Sequence, residues 1–353
     1  MYRRGFDIYT MDWRSQGLSG DSPRQMSEKG FTDGSGQRIC HVETFDEYVN
    51  DAEFFFEHVV SKPVSNDDGD RRVCVVTHSM GGLIAARLAE RKRCRIDRIA
   101  LCAPMIRHKT ALNVCGVLDV ELPMYLSRWV GKLITFLGAE RLKADGRDVD
   151  ASRPTTERLS HCVTRGAYWN ELRKEHPRVV LAGCSFGWVI AATDMEELIM
   201  KDAHKIDVPT LIFQSEDDAF VYNDAQVEFT QRMMRGKCVG PIRGAYHEIL
   251  AEVDDVRQPV IEAIETFAQV DDDAVFGKDV MERLEAVPVA TLTNINERWP
   301  IGYHSGVRPP RYFPVPLVLR NYPGMRRFCG LCVQGVALAY IGHKILAALH
   351  RTF

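Results

Sequence analysis

Uninterrupted apolar runs alternate along this chain with apolar positions at helical spacing. RRVCVVTH (71–78), RIDRIALCAP (95–104) and VPTLIFQSEDD (208–218) each hold a short β-branched apolar stretch between polar residues. Such runs predict strands buried on both faces, the habit of parallel sheets. MGGLIAARLAERKRC (80–94) predicts a helix after the first of them. In TFDEYVNDAEFFFEHVV (44–60), Phe45, Tyr48, Val49, Ala52, Phe55, Phe56 and Val59 recur at helical spacing. That predicts an amphipathic helix with Thr44 as N-cap and Glu47 at the third position. FDIYTMD (6–12), aromatic and β-branched, predicts a strand that delivers the chain to the turn-rich WRSQGLSGDSPR. Further helices are predicted at about 223–235 and 255–268 and a weak strand near 237–242, with the loop RGAYHEIL before the last helix.

Strand, helix, strand in that order specifies the α/β class, with a mostly parallel sheet covered on both faces. The rhythm lapses from about 105 to 205, where the chain reads as helical and irregular, and returns at 208. The organisation expected is a core over 1–104, a helical cap or lid over 105–205, the rest of the core over 206–270, and a C-terminal extension over 271–353. The extension holds the apolar stretch FCGLCVQGVALAYIGHKILAAL (328–349), interrupted by Gln334, His343 and Lys344 and preceded by Arg326 and Arg327. Spanning a bilayer takes about 20 predominantly apolar residues. The stretch therefore fits a membrane anchor or interfacial helix, a helix packed on the body, or a disordered tail. Cys329 and Cys332 beside the basic pair are candidate acylation sites.

With 353 residues, 45% apolar and 26% charged, the chain can bury a large core, and its net charge of −3 offers no basic field for nucleic acid. Ten cysteines without paired spacing, apart from Cys329 and Cys332, read as reduced thiols of an intracellular protein. The N-terminus has no apolar segment of signal-peptide length, so secretion through a cleaved signal is not expected. The location expected is cytoplasmic or membrane-associated.

Two serines compete as a nucleophile. Ser79 lies in VVTHSMGG, between an apolar strand and a helix, with Gly81 and Gly82 after it; Thr77 stands where G-x-S-x-G has its first glycine. Ser185 lies in LAGCSFGW and meets that spacing literally. Chain order favours Ser79: with Ser185 as nucleophile only one further strand-helix unit would separate it from the acid-bearing PTLIFQSEDD, and the strand RIDRIALCAP would be left without a role. The run PTLIFQSEDD supplies Asp218, Asp217 and Glu216 as competing acids at a strand's carboxyl end. GAYHEIL supplies His247 in the last loop. The backbone N–H of Met80 is the expected oxyanion donor at the helix start. His78 is read as a packing or hydrogen-bonding residue pointing elsewhere.

DWRSQGLSG (12–20), HVETFDEYVND (41–51), THSMGGLIA (77–85), QSEDDAFV (214–221) and GAYHEIL (244–250) together resemble the monoacylglycerol lipase and lysophospholipase group of α/β-hydrolases, serine aminopeptidase-like in their hydrolase domain. The resemblance covers about residues 5–268 and implies the α/β-hydrolase fold. It implies Ser79 as nucleophile, Asp218 as acid and His247 as base, and hydrolysis of glycerolipid carboxylic esters without metal or organic cofactor. LAGCSFGW then matches the start of a cap helix, and MYLSRWVGKLITFLG a liner of an acyl tunnel or a simple packing element. The group has about two strands, a His-Gly oxyanion loop and a helix ahead of the strand equivalent to FDIYTMD. The expectation is therefore a chain truncated at its N-terminus, without the first strands and the second oxyanion donor. The leading function is an esterase of lysophospholipid or monoacylglycerol, its partner a lipid ester, with peripheral or C-terminal membrane association. A catalytically silent lipid- or partner-binding relative and a non-lipid esterase are the rivals.

Overall fold

The computed structural model describes residues 5–17, 19, 38–61, 72–109, 111–114, 118–121, 124–144, 159–271, 275–277 and 282. The acidic loop at 61–70 and the apolar stretch 328–349 fall outside the described residues, apart from Ser61. The chain divides into two compact units, Met1–Lys109 with Arg128–Ala290, and Thr110–Ser127 with Thr291–Phe353.

The first unit is built on a four-stranded sheet in the order β1 (Cys74–His78), β2 (Arg98–Cys102), β5 (Thr210–Ser215), β6 (Gly236–Ile242), every ladder parallel. The two inner strands are buried at every position, as their uninterrupted apolar sequences require, whereas β1 is only half-buried. Side chains alternate across the sheet. Ile99 and Leu101 of β2 join a core with α1 (Asp46–Phe55), α2 (Met80–Arg91), α5 (Phe186–Asp202) and α6 (Asn223–Arg232), through Tyr48, Leu83, Ile199 and Phe229. On the other face, Arg98 is fully buried, donates to the Val270 carbonyl at 3.1 Å and stands 5.9 Å over the ring of Phe267 on α7 (Asp254–Gln269). Both faces are thus covered.

The predicted strand at FDIYTMD does not form. Residues 6–12 join no ladder, and Ile8 is half exposed. A strand exists only by pairing, whatever its propensity, and β1 is bonded on one side only among the described residues. The stretch is held at its far end instead. Trp13 packs edge-on against Tyr48, and Arg14 grips Asp51 through Nε and Nη2, both at 2.6 Å, and also Glu47. The helix after it begins at Asp46, two residues past the predicted cap. Phe45 takes the N-cap position with no side-chain cap bond, while the Glu47 carboxylate accepts from the Glu43 and Thr44 N–H groups at 2.8 and 3.3 Å. It ends in a π-turn, Phe56–Val60.

Within 105–205 the described elements are mostly helical: α3 (Met124–Phe136), α4 (Val163–Glu175) and α5. VVLAG before Ser185 forms no strand. The second unit contributes an antiparallel pair that the sequence reading missed, β3 (Ala111–Val114) with β4 (Leu118–Glu121), and the first turn of α3.

Candidate active site

Strand β1 ends at His78 and α2 begins at Met80, so Ser79 alone makes the turn between them. Its φ of 51° and ψ of −119° lie outside the regions an L-residue favours. Three backbone hydrogen bonds hold it there: Ser79 N–H to the Cys102 carbonyl at 3.1 Å, and Gly82 and Met105 N–H to the Ser79 carbonyl at 2.9 Å each. The following helix comes very close. A Cβ on Gly82 would sit 2.4 Å from Cβ of Pro104, whereas one on Gly81 would sit 3.3 Å from Cβ of Thr77. Gly82 is thus the glycine the turn demands, and Thr77 fits because Gly81 faces it.

The turn after β5 carries Asp218, which is buried, whereas Asp217 and Glu216 are exposed. Its Oδ1 accepts the N–H groups of Phe220 and Val221 at 2.8 and 3.0 Å, and Oδ2 accepts the Ser215 hydroxyl at 2.8 Å. Burial pushes the Asp218 pKa up, but the hydrogen bond and charge of His247 and these other donors outweigh it and hold the carboxyl below its usual range.

The turn after β6 delivers His247, buried like Asp218. Its Nδ1 lies 2.8 Å from Oδ2 of Asp218 and its Nε2 lies 2.8 Å from Oγ of Ser79. A carboxylate only accepts, so Nδ1 carries the proton and Nε2 is left to take the serine's. Burial and the neighbouring His247 push the His78 pKa down to about 4, so its imidazole is neutral at neutral pH. It does not point away: its Nε2 donates to the His247 carbonyl at 3.1 Å. Met80, the first residue of α2, presents an amide ahead of the helix's own ladder, and its sulfur lies 3.7 Å from Nε2 of Gln16.

Ser185 is elsewhere and otherwise employed. It is the N-cap of α5, fully buried, accepting the Trp188 N–H at 3.0 Å and sharing a 2.7 Å hydrogen bond with Nδ1 of His41. The structure therefore brings Ser79, Asp218 and His247 together and leaves Ser185, Asp217 and Glu216 out.

One group escaped sequence reasoning. The fully buried Glu252 accepts from Nδ1 and the backbone N–H of His161, at 2.9 and 3.1 Å, and from the Tyr246 and Val253 N–H groups, at 3.0 and 3.1 Å. The rings of His161 and Tyr246 stack 3.8 Å apart. The loop that carries His247 is thereby tied to the segment ahead of α4, and the Glu248 N–H adds a bond to the Leu159 carbonyl at 2.8 Å. A cleft of about 690 Å³ opens between α4 and this loop, bordered by His78, Tyr168, Trp169 and Glu248. A second, of about 460 Å³, continues it past Trp169 to Arg173. Helix α3, the expected tunnel liner, borders neither; it buries Ile134 and turns Trp129, Leu133 and Phe136 to solvent.

A family described as serine aminopeptidase, S33, matches residues 1–254. Lysophospholipase L2 of Escherichia coli K12 is 28% identical over 280 residues, covering 76% of this chain and 73% of that protein. A probable lysophospholipase L2 of Haemophilus influenzae is 26% identical over 273 residues, covering 76% of this chain and 77% of that protein. Among solved structures, a Paleococcus ferrophilus monoacylglycerol lipase aligns with a TM-score of 0.48 at 17% identity, over 75% of this chain and 84% of that one. A soluble variant of the Saccharomyces cerevisiae monoglyceride lipase, in complex with a substrate analogue, aligns with a TM-score of 0.48 at 19% identity, over 73% and 75%.

Proposed function

Because this chain belongs to the serine aminopeptidase S33 family of α/β-hydrolases, we propose that it cleaves carboxylic esters of glycerolipids, lysophospholipid or monoacylglycerol, through an acyl-enzyme on Ser79. The carrying observation is the pair of 2.8 Å contacts that link Ser79 Oγ, His247 and Asp218 on a turn held at positive φ. The names of the two bacterial relatives support the lipid substrate.

In this reading, His247 Nε2 takes the hydroxyl proton as Ser79 Oγ attacks the ester carbonyl, and Asp218 fixes the tautomer and stabilises the imidazolium. The Met80 N–H donates to the oxyanion. His247 then returns the proton to the departing glycerol oxygen, and water repeats the sequence on the acyl-enzyme to release the fatty acid. We assign residues 105–205 to a helical cap.

A fluorophosphonate probe on the full chain tests the reading, beside Ser79→Ala and Ser185→Ala. Labelling that disappears only in Ser79→Ala is the expected result. A folded protein that takes no label, or takes it in Ser79→Ala, overturns the assignment.

A further inference from the structure

The two clefts against α4 are bordered by opposite charges, Glu248 and Arg173, neither of them paired with another side chain among the described residues. Glu248, directly after His247, borders both, and its carboxylate has no hydrogen-bond or ion-pair partner among the described residues. Burial makes its charged form costly; the Glu252 charge adds to this and the His247 charge opposes it. Arg173 borders the second cleft, and its Nη1 is shut off from solvent with no acceptor among the described residues. Arg173 and Glu248 are not paired with each other. Both side chains are half-buried, so each is only partly hydrated, and one cleft bordered by both signs fits a ligand that supplies both.

The remaining lining narrows the chemistry. Tyr168 and Trp169 are exposed towards the first cleft beside Glu248, ring centroids 6.1 Å apart and interplanar angle 63°. An aromatic pair beside a carboxylate suits a quaternary or primary ammonium. A guanidinium suits a phosphate. Trp169 and Arg173 are four residues apart on α4, about 6 Å along the axis, a span of the order that separates phosphorus from nitrogen in phosphocholine. Arg165 is already engaged: it donates to the Glu252 carbonyl at 2.6 Å and pairs with Asp254, which holds the helix in place. The first cleft reaches His78, whose ring centroid lies 4.7 Å from that of His247.

Resting on the esterase reading above, we propose that this double cleft binds the zwitterionic phosphodiester head group of a lysophospholipid, with Arg173 on the phosphate and with Glu248, Tyr168 and Trp169 around the ammonium. The cleft then makes the chain select lysophospholipid over monoacylglycerol, which carries neither charge.

Equilibrium binding of soluble head groups to the full chain tests this without turnover. Glycerophosphocholine is expected to bind saturably and glycerol not at all. Arg173→Gln is expected to weaken glycerophosphocholine and glycerol 3-phosphate at least tenfold. Glu248→Gln is expected to weaken glycerophosphocholine by a similar factor and to leave glycerol 3-phosphate unchanged. No saturable binding, affinity unchanged in both variants, or inorganic phosphate bound as tightly as glycerophosphocholine overturns the proposal. Head-group binding that behaves as expected in a chain that hydrolyses no ester overturns the esterase reading alone.

Discussion

The imidazoles of His78 and His247 meet edge to face, centroids 4.7 Å apart at 60°, and the side chain of one donates to the backbone carbonyl of the other at 3.1 Å. The residue beside the candidate nucleophile thus props the candidate base from behind. Only a neutral His78 suits the site, because a second cation there would oppose the imidazolium that His247 forms. Its pKa falls from 6.5 to about 4, chiefly by burial and then by the charge of His247. Between those values the unfolded chain binds the extra proton, so stability rises with pH across that window and is lost as pH drops from 6.5 towards 4. The loss is expected to be on the order of 3 kcal/mol. His78→Gln retains a donor and cannot titrate, so urea unfolding compared at pH about 7 and about 5 should show a smaller acid loss in this variant than in the parent.

Gly82 and Gly81 differ in consequence although they are neighbours in one motif. Gly82→Ala drives a methyl into Pro104 at 2.4 Å, against atoms fixed by the turn after β2. Such overpacking costs about 1–3 kcal/mol or more, and relief by moving α2 would displace Ser79 from His247. The expected result is a lowered melting temperature together with slower fluorophosphonate labelling. Gly81→Ala meets only Thr77 at 3.3 Å, and its effect on both measurements should be clearly smaller.

What could be read from the sequence follows physical range. The uninterrupted runs in RIDRIALCAP and PTLIFQ identify parallel strands buried on both faces, whereas RRVCVVTH gives a parallel strand that is only half-buried, bonded on one side among the described residues. The turn residues at the carboxyl ends of those strands carry Ser79 and Asp218, so the chemistry was visible in local patterns. FDIYTMD misled because propensity states a preference and a ladder needs a partner. The β3/β4 pair was hidden in a stretch read as helical and irregular, where four-residue strands leave little periodicity. Glu252 left no local sign: its partner His161 lies 91 positions away, and a glutamate before a helix ordinarily reads as solvated.

Ser185 illustrates a serine whose motif outranks its position. Ser185→Ala deletes an N-cap and leaves Nδ1 of His41 without its 2.7 Å hydrogen bond. The cap alone is worth about 1 kcal/mol, and the stranded buried partner raises the total to about 2–3 kcal/mol. Chemical denaturation should register that loss in full. Labelling at Ser79 should persist, since Ser185 touches none of the three residues joined there.

Glu252 ties the loop of His247 to the chain entering α4, and its replacement is predicted to separate stability from chemistry in a recognisable way. The carboxylate is fully buried and receives four N–H donors. Burial pushes its pKa up, but the hydrogen bonds from His161 and from the Tyr246 N–H more than offset that and leave the carboxyl below its usual range. Glu252→Gln swaps one acceptor oxygen for an NH2 group facing a donor. Leaving a buried donor without its acceptor costs about 1–3 kcal/mol. Tyr246 then loses its anchor one residue before His247, so the imidazole is held less firmly between Asp218 and Ser79. The expected signature on a glycerolipid ester is a kcat lowered by about tenfold or more with KM little changed, because the loop positions the base and not the acyl chain. His161→Ala removes a single side-chain donor and should show the same pattern more weakly. A Glu252→Gln enzyme that is destabilised yet turns over at the parental kcat would reduce the pair to a structural tie with no bearing on His247.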